Sequence, residues 1–305
     1  MAADGAHDRR LTEQSNPSSA RVDRLATLDI VDLIGAEDAL VAEAVREQRL
    51  AIARAADLVV DTFRRGGRLI YVGAGTSGRL GVLDAAEMPP TFGTDPDLVQ
   101  GIIAGGAGAL VRAQEGAEDR IDAAVEDVDA RDVGPLDFVF GIATSGTTPY
   151  VHAALARARE RGARTGFLLC TEPPAELVAA HDVVIAVLVG PEVVTGSTRM
   201  KAGTATKMVL NTITTAAMVR LGKVYGNLMV DLQVTARKLR DRGERILMQI
   251  LGLARGEAGH LLDGADGHVK TAIVMHRLGL DAAAARARLD DVGGVLARLI
   301  GDALD

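Results

Sequence analysis

The chain has 305 residues, a formal net charge of −7 and an aromatic content of only 3%. This length exceeds one average domain and is enough to bury a substantial core. The acidic balance excludes a broad basic surface for nucleic acid or anionic lipid, and the scarcity of aromatic rings argues against stacking platforms for single strands. A protein of this charge that binds an anion must therefore do so at a local site.

The cysteine content and the N-terminal residues indicate the cellular location of the protein. The single cysteine, Cys170, excludes an internal disulfide, suits a reducing compartment, and is expected to be packed at the end of a buried strand. Residues 1–19 are polar and lack the apolar segment of a secretion signal, and the apolar stretch at 183–189 is too short to span a bilayer. We therefore predict a cytoplasmic protein that binds neither membrane nor nucleic acid.

The pattern of the chain predicts three regions. Residues 1–36 are predicted to form an N-terminal arm, with little apolar periodicity in the first twenty residues. Residues 37–227 begin with a helical pattern that ends at Gly66-Gly67, after which strand-like and helix-like segments alternate. This alternation predicts a doubly wound parallel sheet with helices on both faces, the α/β class. Residues 228–305 carry no strand signal and are predicted to form a small helical domain.

The predicted elements place three polar turns where strands lead into helices. Ligands of such folds bind at these turns, at the carboxyl ends of the strands. The predicted strands are 68–72, 99–104, 137–143, 164–170 and 183–189. The predicted helices are 37–65, a short one that ends before Pro89-Pro90, 110–128, 149–161 and 201–221.

The first turn is glycine-rich and runs from Gly73 to Arg79 with the sequence GAGTSGR. Its glycines permit close backbone approach, and the hydroxyls of Thr76 and Ser77 can donate to an anion at a helix N-terminus. The spacing resembles a dinucleotide fingerprint, but no clear acidic residue ends the second strand to hold a ribose. We therefore predict a phosphate at this turn rather than a dinucleotide.

The second and third turns are also rich in hydroxyl groups. Residues 143–149, ATSGTTP, hold four hydroxyls before a proline at a predicted first helical position, and they lack the lysine of a nucleotide P-loop. Residues 195–204 add two cations. The predicted phosphate- and sugar-binding residues of the three turns are Thr76, Ser77, Ser145, Thr147, Thr148, Ser197, Thr198, Arg199 and Lys201.

An alternative is that each turn only caps its helix, because serine and threonine are favoured at helix N-termini. Three such turns at successive junctions of a parallel sheet favour a phosphorylated small molecule instead.

Two glutamates are the predicted catalytic residues. Glu87 ends the short helix among mostly apolar neighbours, where burial would keep a carboxylic acid protonated, as a general acid requires. Glu118 shares a predicted helix face with Glu115 at i, i+3, although a solvated acidic face is the alternative. The six histidines show no metal-ligand spacing, so we predict no metal ion and no cofactor.

The distance between Glu87 and the first turn sets a geometric constraint. A continuous helix rises about 1.5 Å per residue, so the ten positions from Ser77 to Glu87 would span roughly 15 Å. Either that helix breaks early, or the phosphate sits mainly in the second turn, or a partner subunit completes the site.

Long runs of this sequence resemble one known family. In chain order these runs are LTEQSNP, GAGTSGRLGVLDAAEMPPTFG, IIAGG, EGAED, SGTTPYV, VVTGSTRMKAGTATKMVLN and GKVYGNLMVD. They extend from Leu11 to Asp231, and HVKTAIVM follows in the helical region. The chain resembles the N-acetylmuramic acid 6-phosphate etherases over nearly its whole length.

The resemblance implies a fold, a reaction and roles for residues. It implies a sugar isomerase-type (SIS) phosphosugar-binding domain, a homodimer, and removal of D-lactate from N-acetylmuramic acid 6-phosphate in cell-wall amino sugar catabolism. Glu87 matches the family's proton donor and Glu118 its second essential carboxylate. Thr147 departs from the pattern, because many members have a basic residue at that position.

Two other functions remain open from the residues. An aldose–ketose phosphosugar isomerase would use the same phosphate site and the same proton abstraction beside a carbonyl. A non-catalytic phosphosugar sensor would bind without turnover. The presence of both Glu87 and Glu118 and the absence of a DNA-binding helix pair before the sugar domain count against a sensor.

Overall fold

A computed structural model of the chain describes residues 10–232, 234 and 237–301. The internal contacts divide the protein into two compact units. The α/β unit falls within Met1–Ala86 and Asp97–Thr214, and the helical unit falls within Glu87–Pro96 and Thr215–Asp305. No helix in the described part of the chain is both long and apolar enough to cross a membrane.

The α/β unit is built on five parallel strands in the order β2-β1-β3-β4-β5. Their apolar residues are buried almost throughout, as expected for a parallel sheet that is covered on both faces. The strands are β1 Leu69–Gly73, β2 Val99–Ile103, β3 Phe138–Ile142, β4 Arg164–Leu169 and β5 Val183–Ala186. All five predicted strands are present, and the order is that of a doubly wound flavodoxin-like sheet. The predicted fold class is therefore confirmed.

Among the described residues, eight α-helices begin in this unit, and α4 and α8 continue into segments assigned to the helical unit. They are α1 Thr27–Asp38, α2 Val41–Glu47, α3 Arg49–Arg64, α4 Gly75–Phe92, α5 Ile121–Asp129, α6 Pro149–Glu160, α7 Ala175–Ala180 and α8 Lys201–Arg220. The prediction of one helix over 37–65 is wrong. Three helices share this region, and Gln48, at φ −86° and ψ 8°, lies between α2 and α3 outside helical geometry.

Alternate side chains of the strands point to opposite faces of the sheet. Ile70 and Val139 belong to a buried cluster with residues of α5 and α6. On the other face, a Cβ built on Gly81 of α4 would lie 2.9 Å from Tyr71 Cβ and 3.3 Å from Ile142 Cδ1. The sheet is therefore covered on both faces, and glycine lets α4 approach it closely.

Two predicted helix boundaries are wrong. The helix after β1 does not end before Pro89-Pro90 but includes both prolines and runs to Phe92, where Gly93 donates its N–H to the Pro89 carbonyl. Inside a helix each proline removes an N–H donor and its ring crowds the carbonyl four residues earlier, so α4 continues here against the local preference. The helix predicted from 110 to 128 is confined to α5, because Gly105, Gly106 and Gly116 adopt positive φ before it.

The N-terminal residues that the structure describes are more regular than the predicted arm. Short 3₁₀ turns cover Leu11–Glu13, Pro17–Ser19 and Val22–Arg24, and α1 follows. Thr12 and Asn16 are buried. The residues before position 10 lie outside the described part of the chain.

The helical unit has its own apolar core. Its helices are α9 Arg237–Leu251, α10 Arg255–Gly264, α11 Val269–Leu278, α12 Ala282–Asp291 and α13 Ala297–Ile300. Lys270 is buried, and its Nζ donates to the carbonyls of Gly222 and Gly294 and lies 2.9 Å from Asp231 Oδ2. Lys270 of α11 therefore binds the loops that contain Gly222, Asp231 and Gly294.

Replacing Gly101 by alanine should separate α4 from the sheet. The new Cβ would lie 2.7 to 2.9 Å from side-chain and backbone atoms of Val82 in α4, so the helix must move. We expect a loss of about 1–3 kcal/mol in the free energy of unfolding, measured by urea denaturation. Gly134→Ala is the control, because a Cβ there meets nothing within 4 Å. Equal stability of the two variants would contradict this packing.

His181 should make the stability of the protein depend on pH. Burial, together with nearby Arg159, lowers the pKa of this imidazole from 6.5 to about 4. Between pH 6.5 and 4 the unfolded chain therefore binds a proton that the folded protein does not, and the free energy of unfolding falls as the pH falls.

The measurement is urea denaturation at a series of pH values. His181→Asn should flatten the fall between pH 6.5 and 4, whereas His276→Asn, at an exposed position, should leave the wild-type slope. An unchanged slope in His181→Asn would assign the effect to other groups.

Candidate active site

The turn after β1 passes directly from strand to helix. A Cβ on Gly73 would lie 2.6 Å from the Gly78 nitrogen, and a Cβ on Gly78 would lie 2.7 Å from the Gly73 carbonyl oxygen. Both positions therefore require glycine, and Gly75 adopts a φ of +54° at the helix start. This tight turn holds Thr76 and Ser77 at the carboxyl end of the sheet.

The turn after β3 presents hydroxyl groups that do not cap its helix. Gly146 has a φ of +75°, and Pro149 occupies the first turn of α6 as predicted. Thr148 is the N-cap residue but makes no side-chain capping hydrogen bond. At this turn, helix capping therefore does not explain the threonine, and its hydroxyl is available to a ligand.

Thr147 has a different role from its neighbours. Its Oγ1 accepts a hydrogen bond from Arg10 Nη1 at 2.9 Å and lies 3.1 Å from Ser145 Oγ. It is not among the residues that line the cavity described below, whereas Ser145 and Thr148 are. The contact with Arg10 joins the N-terminal residues to the second turn.

The third turn leads into α8, whose N-terminus is capped by a carboxylate. Glu192 is 1% exposed and accepts the N–H groups of Lys201 and Ala202, each at 3.0 Å. A carboxylate at a helix N-terminus is favourable both as an acceptor and through the helix dipole. Sequence reasoning missed Glu192, since an acid nine residues before a helix carries no local capping signal.

Lys201 is placed differently from the other predicted binding residues. Its side chain is 2% exposed, and its Nζ lies 2.6 Å from Glu37 Oε2 of α1. The ammonium group is thus used inside the protein rather than presented at the surface. Of the other predicted residues in this turn, Thr198 lines the cavity, while Ser197 and the exposed Arg199 do not.

A cavity of about 270 Å³ lies where the three turns meet in the α/β unit. Six hydroxyl side chains and two carboxylates line it. The hydroxyls belong to Thr76, Ser77, Thr144, Ser145, Thr148 and Thr198, and the carboxylates to Glu13 and Glu118. Glu13 was not predicted from the sequence.

Glu118 reaches this cavity from a short turn rather than from a helix. It lies in the 3₁₀ turn Ala117–Asp119, directly after Gly116, which has a φ of +73°. Glu115 lies outside any helix, so the predicted shared helix face is wrong. Glu118 also lines a neighbouring cavity of about 170 Å³ together with Arg79 and Glu115.

Glu87 lies on the second half of α4, in the segment assigned to the helical unit. Its side chain is exposed in this single chain, so the chain by itself does not bury this carboxyl. Since α4 is continuous, the ten residues from Ser77 to Glu87 rise about 15 Å along its axis. The possibility that this helix breaks early is thereby removed.

A buried carboxyl group supports the frame of the site, and the single cysteine is buried in the same unit. Asp84 of α4 accepts hydrogen bonds from Tyr71 Oη, Asn211 Nδ2 and Thr214 Oγ1, which tie α4 to β1 and α8, and burial raises the pKa of this carboxyl. Cys170 is fully buried, as predicted, and this burial raises the pKa of its thiol to about 12. The described residues contain no group of three or more His, Cys, Asp or Glu side chains that could hold a metal ion.

The sheet and the cavity together define a doubly wound α/β protein with a small-molecule site at the carboxyl ends of its strands. The N-acetylmuramic acid 6-phosphate etherase of Rhodopirellula baltica is 54% identical to this chain over 289 residues, which cover 95% of each protein. That of Crocosphaera subtropica is 52% identical over 286 residues, covering 94% of this chain and 93% of the relative. The chain belongs to the N-acetylmuramic acid 6-phosphate etherase family, as its motifs predicted.

Two further comparisons match part of the chain. The family described as glucokinase regulatory protein N-terminal SIS domain matches residues 51–159. A solved phosphoheptose isomerase from Neisseria gonorrhoeae is 19% identical, with a TM-score of 0.45 over 61% of this chain and 98% of the isomerase.

Replacing Lys201 should test its internal role. Lys201→Met leaves the Glu37 carboxylate, 12% exposed, without its ammonium partner. Breaking one side of a buried ion pair costs roughly 3–5 kcal/mol, which urea denaturation would detect. The control is Arg199→Met at an exposed position, expected within about 0.5 kcal/mol of wild type. Unchanged stability with weaker phosphate binding in Lys201→Met would restore the predicted phosphate role.

Proposed function

We propose that this protein cleaves the D-lactyl ether of N-acetylmuramic acid 6-phosphate to give N-acetylglucosamine 6-phosphate and D-lactate. The observation that carries the proposal is the cavity at the carboxyl ends of the strands, where six hydroxyl side chains surround a space beside Glu118. Membership of the etherase family supplies the substrate. The protein is accordingly a carbon–oxygen lyase of amino sugar catabolism.

We assign the phosphate to the second turn, alone or together with the first. Both place hydroxyl donors at the N-terminus of a helix, where free N–H groups and the helix dipole favour an anion. The helix after the third turn, α8, offers no equivalent position, because Glu192 already accepts the N–H groups of Lys201 and Ala202. Hydroxyl donors can bind one phosphate monoester without giving the surface a net positive charge.

The reaction needs a general base and a general acid, and two carboxyl groups in opposite protonation states are sufficient. In the open-chain sugar the aldehyde at C1 acidifies the hydrogen on C2, and a general base removes that proton. Lactate then leaves from C3 as a general acid protonates the ether oxygen, and water adds to the unsaturated aldehyde. We assign Glu118 as the base, since it lines the cavity, and Glu87 as the acid from the family motif.

Glu87 enters this scheme in one of two ways. Either the phosphate sits mainly in the second turn, or a partner subunit completes the site. The second arrangement fits the homodimer that we propose from the family. We also propose a cytoplasmic location, because a single buried cysteine suits a reducing compartment.

The first experiment is a measurement of lactate release from N-acetylmuramic acid 6-phosphate by the purified protein with EDTA present. Stoichiometric lactate from wild type, and none from Glu87→Ala, is the expected result. Binding of the substrate without lactate release by wild type would contradict the proposal and support a sensor, and interconversion of aldose and ketose 6-phosphates would support an isomerase.

Exchange of the C2 hydrogen in deuterated water should separate the two glutamates. Glu118→Gln should slow both exchange and lactate release by roughly 100-fold or more, the usual size of a general-base effect. Glu87→Gln should slow lactate release while exchange continues. Glu126→Gln, an exposed carboxylate on α5, is the matched control. Full wild-type exchange in Glu118→Gln would show that another group is the base.

A further inference from the structure

The described N-terminal residues are attached to the α/β unit at three separate places. Arg10 Nη1 donates to Thr147 Oγ1, the Leu11 amide donates to Thr171 Oγ1 at 3.4 Å, and Asn16 Nδ2 donates to the Pro191 carbonyl at 3.3 Å. Thr12 is 1% exposed. Residues 10–19, which we call the N-terminal strap, are therefore held against the α/β unit, with one attachment in the second turn.

Glu13 lies between these attachments and lines the cavity with Glu118. Its Oε1 accepts a hydrogen bond from Thr12 Oγ1 at 3.3 Å, and its Oε2 would lie 3.7 Å from a Cβ built on Gly196 of the third turn. Gly196 has a φ of +76°, so this position is already restricted to glycine. The backbone of the third turn therefore comes close to the Glu13 carboxylate.

The charge of Glu13 decides which part of a ligand it can contact. A carboxylate is only an acceptor of hydrogen bonds, so it repels the phosphate and the lactyl carboxylate of the proposed substrate. The remaining donors of that substrate are the sugar hydroxyls and the acetamido N–H. The hydroxyls that line the cavity can donate to anions, whereas the two carboxylates can accept from a sugar.

We propose that Glu13 is a sugar-binding residue that accepts hydrogen bonds from hydroxyl groups of the phosphosugar. This inference rests on the proposed function for the identity of the sugar, but not for the role of the carboxylate. The N-terminal strap is thus a part of the binding site rather than an appendage, and Glu13 helps the site distinguish a phosphosugar from a simple phosphate.

Calorimetric binding separates this role from the catalytic proposal. The probes are N-acetylglucosamine 6-phosphate and inorganic phosphate, applied to wild type, Glu13→Gln and Glu13→Ala. A hydrogen bond to a charged group contributes enough that its loss should weaken the phosphosugar roughly 10- to 100-fold. The affinity for inorganic phosphate should not fall, and Glu13→Asp should recover part of the loss.

The control is Ser15→Ala, at an exposed position of the same strap, with unfolding in urea measured for every variant. Wild-type affinity for the phosphosugar in Glu13→Gln would overturn the proposal. A parallel loss of inorganic phosphate binding would also overturn it, since a displaced strap would then be the cause. The proposed reaction is judged separately, by lactate release from wild type, so the two proposals fail by different measurements.

Discussion

The parallel pairing of β1 with β3 is the constraint on which the site depends. Gly73, the last residue of β1, lies opposite Ile142, the last residue of β3, so the two strands end at the same level. Because parallel strands share a direction, the turns that follow them leave the sheet at the same edge. Two glycine- and hydroxyl-containing turns, separated by about seventy residues in the chain, thereby become neighbours.

Buried charge holds the start of α8, which follows the third turn. Glu192 accepts the first N–H groups of α8, and Lys201 in the first turn of that helix pairs with Glu37. Removing one member of such a group leaves an uncompensated charge, which is why a buried pair holds its geometry firmly even when its net contribution to stability is small. The charges of Glu192, Lys201 and Glu37 are therefore used within the protein, and hydroxyl groups line the cavity instead.

The proposed site combines neutral hydrogen-bond donors for the phosphate with carboxylates for the sugar. Hydroxyls and backbone N–H groups bind an anion without a strongly basic surface, in keeping with the net charge of −7. In the proposed scheme, Glu118 and Glu13 act on the neutral part of the same ligand. In the proposed reaction Glu118 accepts a proton from C2, whereas the general acid must hold its proton until the ether oxygen leaves.

The sequence by itself determined the five strands, the fold class, the family and the three polar turns, because these follow from local runs of apolar residues and from motifs that are contiguous in the chain. It also predicted Glu118 and the hydroxyls of Thr76, Ser77, Ser145, Thr148 and Thr198 at the site. Only the tertiary structure decided that Glu13 lines the cavity, that Glu192 caps α8 and that Lys201 pairs with Glu37. Each of these contacts joins residues from separate segments of the chain, so no periodicity or spacing could reveal it. The end of α4 was mispredicted for a different reason, since two prolines are a local signal for a helix end and yet the helix runs through both.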